Sequence, residues 1–78
     1  MRKVEMSTAF AMVLKKHREA KCMSQELLAE KADIHPTHVD LIERSLRNPS
    51  LNVAKSIADA LGLTLTEMIA EAENVRKK

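Results

Sequence analysis

The chain has 78 residues, a length that holds one domain and only a thin hydrophobic core. Apolar residues make up 45% and charged residues 31% of it, with a formal net charge of +2, which permits a nucleic-acid partner without arguing for one. One Gly, two Pro, no Trp and no Tyr favour helices, and a single cysteine, Cys22, makes neither an internal disulfide nor a cysteine-based zinc site.

Charge distribution says more than net charge. Lys15, Lys16, Arg18 and Lys21 face one Glu19, and Arg44, Arg47 and Lys55 follow, whereas Asp59, Glu67, Glu71 and Glu73 have no base among them. One end of the chain therefore reads as basic and the other as acidic. The start Arg2-Lys3 precedes an apolar run over residues 9–14 that is too short for a signal peptide and is cut by Lys15-Lys16. With no stretch long enough to span a membrane, a cytoplasmic protein is the simplest reading.

In chain order, residues 1–6 read as a loosely held arm, and residues 7–75 as the folded domain. Ser7 or Thr8 is placed to cap a first helix that runs to about Lys21, with Phe10, Leu14 and His17 on one face and Val13 beside it. His17 is read as a half-buried core histidine.

Residues 24–47 read as two short helices with a sharp break. Ser24 caps the first, about 25–32, whose apolar face is Leu28, Ala29 and Ala32; Leu27 lies off that face. Asp33 stops it, because aspartate tolerates a left-handed backbone, and Ile34 is the apolar residue of the turn. Pro36 opens the second helix, about 36–44, where its fixed φ and missing N–H suit the first helical position. Val39 and Ile42 face the core, which leaves Thr37, His38, Asp40, Leu41 and Arg44 outside. Two short helices joined by a short turn, about 24–44, form a helix-turn-helix, the arrangement that sets a second helix into a DNA major groove. There Arg44 suits guanine or phosphate, Thr37 a base edge or phosphate, Leu41 a thymine methyl, and Asp40 the amine of cytosine, although its charge opposes phosphate. His35 and His38, spaced i, i+3, read less well as metal ligands, having no third ligand nearby.

Arg47, Asn48 and Pro49 form the next loop, with Arg47 reaching the DNA backbone. Ser50 caps a fourth helix, about 51–61, with Leu51, Ala54, Ile57, Ala58 and Leu61 as its core side, and Gly62 ends it. Thr64 and Glu67 match a capping box opening a fifth helix, about 65–75. Its stripe of Leu65, Met68, Ile69, Ala72 and Val75 is longer than a small core covers and reads as a dimer interface. Arg76, Lys77 and Lys78 form a basic tail, favourable at a helix C-terminus and otherwise disordered.

Ser24-Gln25-Glu26, Leu28-Ala29, Ala32, Ile34, Val39, Ile42-Glu43-Arg44 and Arg47-Asn48-Pro49-Ser50-Leu51 together resemble the Xre family of helix-turn-helix domains, which includes phage repressors and Cro proteins. The resemblance covers about residues 8–69. It implies an all-α, five-helix, lambda-repressor-like DNA-binding domain. It implies that Gln25 binds a DNA phosphate and buttresses base-reading residues. It implies that Arg18 pairs with Glu43, tying the first helix to the end of the third. The sequence departs from the family at Cys22 and Ser45, where relatives usually carry Gly, and at His17, where they are usually aliphatic.

The DNA-facing set is therefore Ser24, Gln25, His35, Pro36, Thr37, His38, Asp40, Leu41, Arg44 and Arg47. No serine or cysteine stands with a base and an orienting group, so an enzyme is not expected, nor any cofactor or metal. The leading reading is a transcriptional regulator that binds a palindromic operator in double-stranded DNA as a homodimer. Among small regulators, the controller proteins of restriction–modification systems are favoured. An activator would also touch RNA polymerase, through surface acids such as Glu26 or Glu30. The alternative is a protein-interaction module, such as an antitoxin that masks a partner protein.

Overall fold

The computed structural model describes residues 5–77, with side chains through residue 76. Five α-helices follow one another: α1 (Met6–Ala20), α2 (Gln25–Ala32), α3 (Pro36–Glu43), α4 (Leu51–Ala60) and α5 (Leu65–Lys77), with no strand among the described residues. The all-α architecture expected from the sequence is the one observed.

Side chains define most helix starts. The Leu27 amide donates to Ser24 Oγ at 3.0 Å and the Val53 amide to Ser50 Oγ at 3.1 Å. At α5 the pairing is reciprocal: the Glu67 amide donates to Thr64 Oγ1 at 3.0 Å while the Thr64 amide donates to Glu67 Oε1 at 2.8 Å, a complete capping box. Helix α1 differs from expectation. It begins at Met6, ahead of Ser7 and Thr8, and Glu5 precedes it without a side-chain cap. The reason is apolar: Met6 packs against the core, so the buried face starts before either hydroxyl. Of the expected arm, Met6 thus belongs to the helix and residues 1–4 lie outside the described residues. At the other end, Arg76 and Lys77 continue α5 rather than forming a tail, and Lys78 lies outside the described residues.

The first four helices close in one way. Cys22, Asp33, Ser45 and Gly62 each take a left-handed conformation, with φ of 56°, 58°, 60° and 75°. The following amide then reaches back to a carbonyl five residues earlier: Met23 to Arg18, Ile34 to Ala29, Leu46 to Leu41 and Leu63 to Ala58, at 2.9–3.0 Å. This closure satisfies the orphan carbonyls of the last turn. Met23, Ile34 and Leu63 then pack against the core, while Leu46, in the same relative place, is 63% exposed. Only Gly62 adopts the left-handed region without steric cost, and a non-glycine residue there carries about 1 kcal/mol or more of strain. Ser45→Gly and Cys22→Gly are each expected to raise stability by about 1 kcal/mol, read as a higher urea midpoint with an unchanged slope. Unchanged midpoints in both variants would show that the loops relax this strain elsewhere.

Helix α1 packs on α5 and α3, α2 on α3 and α4, and α4 on α5. Leu14, Leu28, Val39, Ile57, Ala58 and Met68 are fully buried where these faces meet. Two sequence expectations are corrected here. Leu51, expected in the core, is 79% exposed, outside the packed face that Val53 and Ala54 of the same turn join. The α5 stripe is not one surface. Met68 and Ala72 are fully buried within their own protomer, since α5 lies along α1. Ile69 lines an open groove with Met6, Phe10, Pro49, Leu51 and Ala54, whereas Val75 lines a different one with Met12 and Val13; Leu65 is half-buried against the core.

The α1–α5 seam also joins the basic and acidic ends of the sequence. Lys16 Nζ lies 2.7 Å from Glu71 Oε1, and His17 Nε2 lies 2.9 Å from Glu71 Oε2. His17 is half-buried, as read from the sequence, but its partner is a carboxylate on α5 rather than apolar packing alone. The hydrogen bond from Lys16 holds the Glu71 carboxyl below its ordinary value of 4.5; partial burial opposes this and His17 adds to it. A lowered folded-state value means stability that is full above the ordinary carboxylate value and is lost as pH falls through the lowered one. Glu71→Gln is therefore expected to be less stable than wild type at neutral pH, with the two denaturation midpoints converging in acid. A constant difference at all pH values would remove ionisation as the cause.

Candidate nucleic-acid interface

Helices α2 and α3 are joined by three residues, Asp33–His35. The left-handed Asp33 turns the chain sharply enough for α3 to cross α2. His35 completes the turn in a way the sequence did not announce: its Nδ1 accepts from the Thr37 amide at 3.1 Å, so the imidazole caps α3 and Pro36 follows at the first turn. That occupies one nitrogen of the candidate metal pair. Among the described residues no group of three His, Cys, Asp or Glu is placed to hold a metal ion.

The inner face of α3 is sealed by Val39 and Ile42, 0% and 1% exposed. On the outer side Thr37 and Arg44 are exposed, and His38, Asp40 and Leu41 are half-buried. His35, Arg47 and Ser24 are exposed as well, with Pro36 and Gln25 half-buried. The expected DNA-facing residues thus lie on α3, at the start of α2 and in the loop after α3. Leu46 stands exposed between Arg44 and Arg47, an apolar side chain that periodicity did not single out.

The pose of α3 is fixed from beneath. Arg18 Nε donates to Glu43 Oε2 at 2.6 Å and its Nη2 to Oε1 at 3.0 Å, a two-pronged pair with side chains 12% and 4% exposed. Arg18 Nη1 also donates to the Met23 carbonyl at 2.7 Å. The hydrogen bonds to Glu43 raise the Arg18 pKa, against the opposing effect of burial. From α2, Gln25 Nε2 donates to Glu43 Oε1 at 3.0 Å and lies 3.5 Å from Asp40 Oδ1. Gln25 therefore spends its amide hydrogens on α3, not outward, and it is its oxygen that remains for an external donor. Arg44 Nη1 donates to Asp40 Oδ2 at 3.3 Å, one helical turn away. The i, i+4 spacing of opposite charges was a legible signal for this last pair. The Gln25 contacts are tertiary and follow from no spacing rule; only the family resemblance, in which Gln25 buttresses base-reading residues, pointed to them.

These pairs change the picture of a basic run. Lys16 is matched by Glu71, Arg18 by Glu43, Arg44 by Asp40 and Lys55 by Asp59. Among the described residues Arg47 makes no ion pair, which leaves it the cation at the edge of α3 with its full charge available.

A helix packed across the start of another, with its far side open and polar, is a helix-turn-helix. The helix-turn-helix family profile matches residues 14–68, and the chain belongs to that family of DNA-binding transcriptional regulators, which are not enzymes. It is 38% identical over 65 residues to the control protein C.MunI of a Mycoplasma species, covering 82% of this chain and 88% of that one. It is 31% identical over 65 residues to the immunity repressor of Bacillus phage phi105, covering 83% of this chain but only 45% of that repressor. The fold is similar to that of the restriction–modification controller protein C.Esp1396I, described as a tetramer in complex with its natural 35 base-pair operator, with a TM-score of 0.88, 26% identity and coverage of 97% and 100%.

Proposed function

We propose that the protein is a restriction–modification controller-type regulator that binds a palindromic operator as a homodimer, with α3 of each protomer in the major groove. The observation that carries this reading is the rigidly supported α3 with an open outer face. Arg18, Glu43 and Gln25 fix its angle, and Thr37, His38, Leu41 and Arg44 are presented beyond it. Ser24 spends its acceptor on the Leu27 amide, which leaves the first amides of α2 for a phosphate, as helix N-termini favour. Arg47 supplies charge to the backbone beside them.

The same reading assigns the dimer contact to the exposed Leu51 and the groove beside it, with Ile69 as the contribution of α5, in place of the whole α5 stripe. A two-fold interface lets each Leu51 enter the other protomer's groove. Dimerisation would set two recognition helices about 34 Å apart, one turn of DNA. C.Esp1396I, a tetramer on its operator, supports such assembly on DNA. No helix among the described residues is long and apolar enough to cross a membrane, and the reading places the protein with DNA in the cytoplasm.

Selection of bound duplexes from a random library at near-physiological salt tests the reading. The expected result is an inverted repeat with half-sites one turn apart. No enriched motif, with only salt-sensitive residual binding, would favour a protein-interaction module instead.

A further inference from the structure

The outer face of α3 carries one carboxylate where a bound duplex would bring its phosphates. The other acid of α3, Glu43, turns inward to Arg18, but Asp40 is half-buried on the open side. It is held from both directions. Gln25 Nε2, fixed by its 3.0 Å bond to Glu43, sits 3.5 Å from Asp40 Oδ1, and Arg44 Nη1 donates to Oδ2 at 3.3 Å. A chain of contacts, Arg18–Glu43–Gln25–Asp40–Arg44, therefore runs from the core to the recognition surface.

We propose that Asp40 is a specificity-determining residue that restrains Arg44 on arbitrary DNA and reads a cytosine amine when Arg44 is released to a guanine. The proposal rests on α3 being the recognition helix. Paired with Asp40, Arg44 presents little net charge, so it adds little to the sequence-independent attraction of phosphates. Releasing it leaves a carboxylate in a strongly negative groove. Only a base edge that donates a proton relieves that, and cytosine N4 does so with no acceptor on its own major-groove edge, whereas adenine carries the acceptor N7 next to N6. Guanine, with O6 and N7, takes the Arg44 fork. Asp40 and Arg44 are four residues apart, about 6 Å along α3, so the two bases lie within one or two steps of each other at about 3.4 Å each. Gln25 keeps the carboxylate in place after Arg44 leaves. The pair thus opens on a G·C-containing step and stays closed elsewhere.

The test compares wild type, Asp40→Asn, Arg44→Ala and the double variant. Asparagine keeps the shape of Asp40 and an oxygen for Gln25, and thermal melting checks that each variant is folded. On a fixed duplex of arbitrary sequence, Asp40→Asn is expected to bind about fivefold more tightly than wild type, the release of one exposed ion pair. With Arg44 already alanine, the same change is expected to give a smaller gain, that of removing one carboxylate from beside the phosphates, and the excess gain when Arg44 is present measures the restraint. In random-library selection, one motif column is expected to pass from cytosine to adenine, which asparagine reads with both groups of its amide. Equal affinity of wild type and Asp40→Asn for the arbitrary duplex overturns the restraint, as does an equal gain with and without Arg44. An unchanged motif overturns the base-reading role. If wild type itself yields no motif, the operator reading fails and the base-reading role with it, while the arbitrary-duplex comparison still decides the restraint.

Discussion

Glu43→Ala is expected to lower the stability of the domain by about 3 kcal/mol, the lower part of the range for breaking a buried ion pair. In a chain of this size that corresponds to a thermal midpoint lower by roughly 12–24 °C. The cause is not mainly the loss of attraction. The Glu43 side chain is 4% exposed and accepts three donors: two from Arg18 and one from Gln25. Without it, a guanidinium with a 12% exposed side chain keeps only the Met23 carbonyl, and its charge is left nearly uncompensated. A domain that begins with about 5–15 kcal/mol of stability does not absorb this easily. The double variant Arg18→Met/Glu43→Leu separates charge burial from packing, because replacing both partners with apolar groups removes the orphaned charge. It is expected to recover more than half of the loss. If the double variant is as unstable as the sum of its parts, the pair is only packing and the argument fails. Chemical denaturation of Glu43→Ala, Arg18→Met, Glu43→Leu and the double variant in the same buffer decides it.

The helices and their order were legible because each carries its own local signals. Ser24 and Ser50 sit at caps, Pro36 at a first turn, and Thr64 with Glu67 makes a capping box. Asp33 was readable as a stop because its chemistry tolerates the φ of 58° that it takes. What sequence could not supply was the amount of partner surface available to each apolar position. Leu51 continues the spacing of Ala54, Ala58 and Leu61, yet the core ends before it. Met68 and Ala72 share a stripe with Ile69 and Val75, yet α1 covers the first two and leaves the others at two separate grooves. Periodicity assigns a face to a helix; only tertiary packing says how far along the helix that face is covered.

The polar site divides the same way. That Arg18 meets Glu43 was suggested by family resemblance, and a separation of 25 positions carries no local rule that would give it. Asp40 with Arg44 follows from one-turn spacing. His35 as a cap, Gln25 turned inward and His17 against Glu71 depend on distances between elements, which a linear pattern does not contain.

Arg44→Gln and Arg47→Gln are expected to weaken DNA binding in different ways, and the contrast is the stronger test of the interface. Arg47 makes no ion pair among the described residues, so its attraction to phosphate is available on any sequence. Its loss is expected to reduce affinity on selected and arbitrary duplexes alike, and to make the salt slope of log K shallower by about one. Arg44 is engaged by Asp40 at 3.3 Å until a better acceptor appears. Its loss is expected to cost about 1–3 kcal/mol on the selected duplex, relax one base position there, and cost less on arbitrary DNA, where it only uncovers the Asp40 carboxylate. Titrations of both variants on both duplexes at several salt concentrations give four affinities and four slopes. Equal losses from Arg44→Gln on both duplexes would make Arg44 a phosphate contact and remove it from base reading. Unchanged affinity and slope in both variants would move the DNA-binding surface away from α3 altogether.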